Sequence, residues 1–343
     1  MPISIRVLII DDSAFVRKVV REMLSGAAGI EVVGAARDGE EGLRLVDELK
    51  PDVVTCDLIM PTLDGLGFVR QQLARAPLPI LILTATSQDA VLVVDALAAG
   101  AVDFMQKPTA LATDELRAIR TELVEKVRAA ARAPKSALRP EAVLLPAVFT
   151  HRSVKIGLVA IGISTGGPQA LRALLPQFPA DFPVPIAIVL HMPVGYTAAF
   201  AAKLNEMSPL EVVEAKEGEV LRPGLIILAQ AGRHLLFRRN ARGIVVVQLS
   251  MQPIEKPHRP SVDVMFESAA EIYRDKLLGV VMTGMDDDGK QGAAWIKSQG
   301  GSVLTEAEES CVIYGMPRSV VEAGLSDAAV TLGNLAQQII ERL

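Results

Sequence analysis

The sequence predicts an α/β protein of two domains, each a mainly parallel sheet flanked by helices. Strand-like apolar runs alternate with helix-spaced segments before residue 125 and with glycine-containing loops after residue 152. The stretch between them is rich in small residues, basic residues and prolines. With 343 residues, half of them hydrophobic, the chain can form two cores. We therefore assign residues 1–124 to a first domain, 125–152 to an interdomain linker and 153–343 to a second, doubly wound domain.

Five strand-like runs define the first domain. In chain order they are "IRVLII", "EVVGAA", "DVVTCD", "PILILTA" and "DFMQK". Segments with the apolar spacing of helices lie between them, such as "SAFVRKVVREMLSG" and "DAVLVVDALAAG". Strands joined through helices form a parallel sheet with helices on both faces.

Polar side chains follow four of these strands. Asp11 and Asp12 come after the first strand, Asp57 ends the third, Thr84 ends the fourth and Lys107 follows the fifth. Taken singly, Asp12 is better explained as a cap of the first helix and Lys107 as part of a solvated loop. Because the carboxyl ends of parallel strands share one edge, we expect these side chains to meet there. Clustered carboxylates suit Mg²⁺, and a lysine beside them would neutralise an added phosphoryl group.

The motifs "DDS", "CDLIMPTLDG", "LTA" and "GAVDFMQKP" occur in this order. They resemble the receiver domain of bacterial two-component response regulators over nearly all of residues 1–124. The resemblance implies a flavodoxin-like fold in which Asp57 accepts a phosphoryl group from a histidine kinase. It also implies that Asp11, Asp12 and Asp57 bind Mg²⁺ and that Lys107 contacts the phosphoryl oxygens.

The resemblance further implies a switch pair, Thr84 and Phe104. The threonine hydroxyl would move toward the new phosphoryl charge, and the phenylalanine ring would fill the space left behind. Such a movement biases a surface that has two states.

The second domain opens with "KIGLVAIGISTGGPQALRALL". An apolar strand ends at Ser164, and a pair of glycines leads into a helix with Pro168 near its start. The glycines could cradle a phosphate at the helix N-terminus, or they could hold Ser164 on a sharp turn as in the G-x-S-x-G pattern. The sequence contains neither G-x-x-x-x-G-K-[ST] nor G-x-G-x-x-G, which lowers the expectation of nucleotide binding.

A serine nucleophile needs a base, and the chain has four histidines. His151 lies in the predicted linker. His234 and His258 lie in polar, arginine-bearing stretches, for which we expect solvated or loop-anchoring roles. His191 directly follows the apolar strand "IAIVL", so we expect it at the same sheet edge as Ser164.

The segment "TGMDDDGKQG", residues 283–292, follows another apolar strand and places three aspartates between glycines. A plain turn is one interpretation. A calcium loop is excluded, because positions one and twelve would be Gly284 and Trp295. Asp288 would reach the same edge as the serine and the histidine, and Ser164, His191 and Asp288 would then form a triad, which is defined by geometry and not by chain order.

Five segments carry a second resemblance: "GISTGGPQAL", "IVLHMPVGYTAAFAAKLN", "RPGLIILAQAGRHL", "HRPSVDVMFESAA" and "VVMTGMDDDGKQG". They are similar to the catalytic domain of the chemotaxis protein-glutamate methylesterase family, and with the receiver the resemblance covers essentially the whole chain. It implies that Ser164, His191 and Asp288 are the triad. Asp286 stands where that family usually has glycine, a residue that allows a positive φ.

Acyl transfer also needs donors for the oxyanion. We expect the backbone N–H groups of Thr165 and Met285 to serve, the second of them by the family resemblance. No metal or cofactor is expected in the second domain, so Mg²⁺ would belong to the receiver alone.

The resemblance implies a phosphorylation-activated hydrolase that demethylates glutamates of chemoreceptors and deamidates their glutamines. A chemotaxis histidine kinase would be the phosphodonor, and we expect a cytoplasmic monomer without membrane insertion. A net charge of −5 and a pI near 5.6 argue against nucleic acid, and hence against a DNA-binding response regulator. A catalytically weak or inactive scaffold in a chemosensory pathway remains the alternative, because Asp286 intrudes on the site.

Overall fold

The computed structural model describes residues 4–85, 87–107, 113–132 and 155–343. The chain forms two compact units that divide between residues 133 and 154, each with its own parallel sheet. His151 and most of the predicted linker lie outside the described residues. The domain limits at residues 124 and 153 stay a prediction.

The first unit alternates strands and helices throughout. Its elements are β1 (Ile5–Ile10), α1 (Ala14–Ser25), β2 (Ile30–Ala36), α2 (Gly39–Leu49), β3 (Val53–Asp57), α3 (Gly65–Arg75), β4 (Ile80–Thr84), α4 (Ala90–Ala99), β5 (Asp103–Gln106) and α5 (Thr113–Arg132). The strand order is β2-β1-β3-β4-β5, and every neighbouring pair is parallel. This is the flavodoxin-like order, so the predicted fold of this unit is confirmed.

Short polar side chains start the helices of the first unit close to the strand ends. Ser13 caps α1 and Asp64 caps α3, each accepting a hydrogen bond from a backbone N–H of the first turn. A Cβ added at Gly65 would overlap the carbonyl oxygen of Asp57, so only glycine lets α3 begin this close to β3. The edge that carries Asp57 is therefore fixed by local sequence.

The second unit contains nine strands and six α-helices among its described residues. They are β6 (Leu158–Ile163), α6 (Gly167–Leu174), β7 (Ile186–Leu190), α7 (Thr197–Met207), β8 (Glu211–Glu214), β9 (Leu225–Leu228), β10 (His234–Arg239), β11 (Val245–Ser250), α8 (Val262–Tyr273), β12 (Leu277–Val281), α9 (Lys290–Ser298), β13 (Ser302–Glu306), α10 (Met316–Glu322), β14 (Ala328–Val330) and α11 (Leu332–Glu341). Seven strands form a parallel sheet in the order β14-β13-β12-β6-β7-β9-β8, and β10 and β11 form a separate antiparallel pair.

The centre of this sheet is β6, which pairs with β12 on one side and β7 on the other. Every residue of these three strands is buried, as expected for parallel strands covered on both faces. Ile163 pairs with Leu190 and Gly162 pairs with Val281, so the three strands end nearly level. The residues that follow them emerge together at one edge.

Within the described parts of the chain, every helix is too short or too polar to cross a lipid bilayer.

Candidate active site

Three polar side chains from neighbouring strand ends form a continuous hydrogen-bonded chain. Ser164 follows β6, His191 follows β7 and Asp288 lies in the loop after β12. His191 Nδ1 lies 3.2 Å from Ser164 Oγ, and Nε2 lies 2.8 Å from Asp288 Oδ2. An ionised carboxylate can only accept, so Nε2 carries the ring proton and Nδ1 is free to take a proton from the serine. The arrangement is that of a nucleophile, a base and an orienting group.

The turn that carries Ser164 is short. The serine carbonyl accepts a hydrogen bond from Gly167 N at 2.7 Å, and Gly166 has a φ of 80°, a conformation that favours glycine. The helix α6 then begins at once. The contact of Ser164 Oγ with His191 favours a nucleophile over a phosphate cradle at this turn.

The Asp288 carboxylate sits at the N-terminus of α8. Oδ1 accepts from Ser261 Oγ at 2.9 Å and Asp263 N at 3.0 Å, and Oδ2 accepts from Val262 N at 2.7 Å as well as from His191. Burial by itself raises the pKa of Asp288, but the hydrogen bond and charge of His191 and the two α8 amides lower it well below its usual range. The carboxylate is therefore ionised beside the base.

A reciprocal contact ties the same helix start to the loop after β12. Asp263 Oδ1 accepts from Gly289 N at 2.9 Å and Gly292 N at 2.8 Å, at the N-terminus of α9. Ser261, Val262 and Asp263 are thus part of the site, and the prediction from sequence missed them. A serine directly before the apolar run "VDVMF" is an N-cap pattern that could have indicated where α8 begins.

Thr165 and Met285, the expected oxyanion donors, lie directly after Ser164 and in the loop after β12. Ser164 N donates to Thr283 O, and a Cβ added at Gly284 would lie 2.8 Å from Ser164 Cβ, so the backbone before Met285 passes close to the serine. Among the described residues, the backbone amides of Thr165 and Met285 donate no hydrogen bond to another protein group. These two N–H groups are therefore available to a ligand.

Of the two roles expected for His234, the structure shows loop anchoring. His234 is not solvated: it is fully buried, its Nε2 lies 3.0 Å from Pro253 O, and its Nδ1 accepts from Ser261 N at 3.2 Å. It does anchor the loop that precedes α8. Burial lowers the pKa of His234, consistent with a neutral ring that donates at one nitrogen and accepts at the other.

His258 has a role that was not expected, because its ring stacks on the ring of His191. The centroids are 4.0 Å apart and the planes differ by 17°. His258 Nε2 lies 3.3 Å from Asp286 Oδ2. Asp286 has a φ of 64°, so the conformation expected from the family glycine is present with an aspartate in its place.

A fully buried carboxyl group, Glu306, supports the loop beside the serine from the end of β13. Its Oε2 accepts from Thr283 N at 2.9 Å, and its Oε1 accepts from Ser310 Oγ at 3.0 Å. Thr283 in turn donates its hydroxyl to Thr165 O at 3.0 Å. Burial raises the pKa of Glu306 to about 7, although these hydrogen bonds oppose the rise.

In the first unit, the predicted cluster of acidic residues forms at the expected edge. Oxygen atoms of Asp11, Asp12 and Asp57 all lie within 4.8 Å of one another, an oxygen-rich set that suits a hard divalent cation. Lys107 Nζ lies 2.7 Å from Asp11 Oδ2 and 2.8 Å from Asp57 Oδ2. Burial raises the pKa of Asp57 against the lowering effect of Lys107.

The same contacts act on Lys107 in the opposite sense. Burial lowers the pKa of its ammonium, but the hydrogen bonds and the charges of Asp11 and Asp57 together outweigh burial and leave the pKa raised. Thr84 and Phe104 are both buried on neighbouring strands, and Thr84 Oγ1 lies 3.3 Å from Asp89 Oδ2. All the predicted receiver residues are therefore near the carboxyl edge of the first sheet or on the strands that form it.

A family model matches each of the two units. The family model for the CheB methylesterase matches residues 159–339, and the model for the response regulator receiver domain matches residues 7–119. The chain belongs to the CheB methylesterase family. The resemblance seen in the motifs is thereby confirmed, and so is the two-domain α/β fold.

Relatives of this CheB-family chain match it over nearly their full length. A protein of Myxococcus xanthus (strain DK1622), named protein-glutamate methylesterase/protein-glutamine glutaminase 5, is 51% identical over 97% of this chain and 96% of its own length. A protein of Symbiobacterium thermophilum, named protein-glutamate methylesterase/protein-glutamine glutaminase, is 41% identical over 98% of this chain and 96% of its own length. The crystal structure of the Thermotoga maritima CheB methylesterase catalytic domain is 39% identical, with a TM-score of 0.53, over 55% of this chain and 99% of that domain.

We expect Glu306 to make the stability of the second unit depend on pH. Its pKa of about 7 lies above the ordinary value of 4.5, so the folded state holds the proton more tightly and the free energy of unfolding falls as pH rises between these values. The difference corresponds to about 3 kcal/mol. Glu306→Gln removes this titration while keeping the size of the side chain. Between pH 4.5 and pH 8, we therefore expect the free energy of unfolding to fall by about 3 kcal/mol less in the variant than in the parent.

Urea unfolding, followed by the fluorescence of the chain's single tryptophan, Trp295 in α9, measures this difference. Glu309→Gln, an exposed carboxyl in the adjacent turn, is the matched control and should follow the parent. Equal pH dependence in the parent and Glu306→Gln would show that Glu306 is not the group responsible.

Proposed function

We propose that this chain hydrolyses the γ-methyl esters of glutamates in chemoreceptors, releasing methanol, and that it deamidates receptor glutamines at the same site. Both activities appear in the names of the relatives above. The observation that carries the proposal is the hydrogen-bonded chain from Ser164 through His191 to Asp288.

The three residues have separate roles. Ser164 Oγ attacks the γ-carbonyl carbon, and its proton passes to His191 Nδ1. The ionised Asp288 holds the Nε2–H and stabilises the imidazolium that forms. When the C–O bond to the methoxy group breaks, the proton on Nδ1 goes to the leaving oxygen, and methanol departs. Water then attacks the acyl-enzyme with His191 as the base, which frees the serine and leaves a glutamate.

The developing oxyanion is stabilised by the backbone N–H groups of Thr165 and Met285. Their lack of protein acceptors among the described residues supports this role. Removal of one such donor typically costs about 10²–10³-fold in kcat. Deamidation follows the same path with ammonia as the leaving group, because a primary carboxamide differs from the methyl ester only in what departs. No step of this chemistry requires a metal or a cofactor.

Phosphorylation of Asp57 in the receiver domain controls the hydrolase. A chemotaxis histidine kinase is the phosphodonor, and Asp11, Asp12 and Asp57 would hold Mg²⁺, which neutralises phosphoryl charge when bound. The ammonium of Lys107, already within 2.8 Å of Asp57, would contact the phosphoryl oxygens. Thr84 and Phe104 act as the switch pair on the neighbouring strands.

We propose that the protein acts in the cytoplasm as a monomer. Membership of the second domain in a methylesterase family argues against a DNA-binding output. An inactive scaffold is the remaining alternative, and the presence of an ordered Ser-His-Asp chain argues against it.

Ser164→Ala is expected to reduce methanol release from methylated chemoreceptors by at least about 10³-fold, because the nucleophile and its base act as a unit. The assay uses the full chain, with folding checked by circular dichroism. Ser298→Ala, an exposed serine at the end of α9, is the matched control and should retain parental turnover. Parental methanol release by a folded Ser164→Ala protein would refute the proposed nucleophile.

Asp57→Asn is expected to abolish the response to a small-molecule acyl phosphate, so that methanol is released at equal rates with and without it. The amide cannot accept the phosphoryl group. Asp47→Asn, an exposed carboxyl on α2, controls for a general effect of charge and should respond as the parent does. A full response in Asp57→Asn would place phosphorylation on another residue.

A further inference from the structure

The ring of His258 covers one face of the proposed base. It is parallel to the His191 ring to within 17°, with the centroids 4.0 Å apart, while the edges of His191 are engaged by Ser164 and Asp288. His191 is therefore held at two edges and on one face. The side chain of His258 is one-third exposed, so its position is not fixed by burial alone.

The carboxylate of Asp286 supplies the missing restraint. Its Oδ2 lies 3.3 Å from His258 Nε2, and it comes from the loop after β12, whereas His258 precedes α8. Because a carboxylate accepts, this contact selects the His258 tautomer with the proton on Nε2. Asp286 and His258 thus link the loop after β12 to the segment before α8, and Asp288 joins the same loop to the start of α8.

The charge state of His258 matters because His191 becomes a cation during the reaction. The titratable groups that act on His258 are His191, Asp288 and Asp286. Burial, and after it the charge of His191, lower the pKa of His258, and the two carboxylates oppose this only in part. A neutral ring over the imidazolium is favourable, whereas a second cation at this distance would oppose proton transfer from Ser164.

We propose that His258 and Asp286 form a positioning pair for the general base. Asp286 holds the neutral His258 ring against the face of His191, and this contact keeps the two nitrogens of His191 directed at Ser164 and Asp288. The inference rests on the proposed function and extends it to a residue, Asp286, that stands where the family usually has glycine. In this chain the aspartate provides the anchor that a glycine cannot.

The test compares Asp286→Gly with Asp287→Asn in the full chain. Glycine adopts the φ of 64° without strain, so Asp286→Gly keeps the turn. Asp287 is the exposed neighbour in the same run and should give parental values throughout when changed to asparagine. We expect Asp286→Gly to lower kcat by about tenfold and to leave KM within about twofold of the parent, because the base loses orientation and the substrate site does not.

Nuclear magnetic resonance of the histidine ring nitrogens gives a second readout that does not depend on turnover. In the parent, His258 should carry its proton on Nε2, and His191 should show one tautomer. Asp286→Gly should lower the pKa of His258, because a carboxylate that raises it is gone, and should mix the tautomers of the His258 ring. Asp288 keeps the His191 proton on Nε2, so the His191 ring should show the loss of the ordered stack as shifted nitrogen resonances and not as a second tautomer.

His258→Phe completes a double-mutant cycle. The phenyl ring cannot form a hydrogen bond with Asp286, so Asp286→Gly should have no further effect on kcat in the His258→Phe background. Additive effects of the two substitutions, or unchanged spectra of both histidines in Asp286→Gly, would overturn the proposal. Absence of methanol release by the parent would instead refute the proposed function, and the spectra would still decide whether the pair orients His191.

Discussion

The position of the Asp288 carboxylate at the start of α8 is the constraint on which the rest of the catalytic unit depends. It accepts four hydrogen bonds, from Ser261, Val262, Asp263 and His191, and so connects the end of β12 to a helix and to the base. The partial positive charge of a helix N-terminus stabilises an anion there. Burying an ionised carboxylate costs free energy, and these hydrogen bonds offset that cost and keep Asp288 ionised. The imidazole of His191 needs this negative charge beside it in order to accept a proton.

The strand-end residues of both units could be predicted from sequence because parallel topology decides where they go. Once the runs around Asp57, Ser164 and His191 are recognised as parallel strands, the side chains that follow must meet at the carboxyl edge. The contributions of Ser261 and His258 could not be predicted in this way. They belong to an irregular segment between β11 and α8, and its path depends on tertiary contacts such as the buried hydrogen bonds of His234. For Asp286, the family glycine predicts the positive φ, but nothing local to the run indicates that its partner is His258.

In the receiver site, a lysine offsets the repulsion between two buried carboxylates. Asp11 and Asp57 bring two carboxylates into a buried position, and one lysine lies within hydrogen-bonding distance of both. The ammonium of Lys107 offsets their repulsion in the unphosphorylated protein, so the lysine is already in place before a phosphoryl group arrives. The sequence could indicate that these residues share an edge, but it could not indicate that the lysine bridges both carboxylates.

The strand order of the second unit also determines the order in which the parts of its site can come together during folding. The strands that carry Ser164 and His191 are consecutive in the chain and pair directly, so a single β-α-β unit brings nucleophile and base together. The strand before Asp288 pairs on the other flank of β6, and everything from α6 to α8 must be synthesised before it emerges from the ribosome. Pairing across such a long stretch is slow to form. A nascent chain therefore holds its serine and histidine for some time without the carboxylate that orients them, and hydrolytic competence is acquired late in folding.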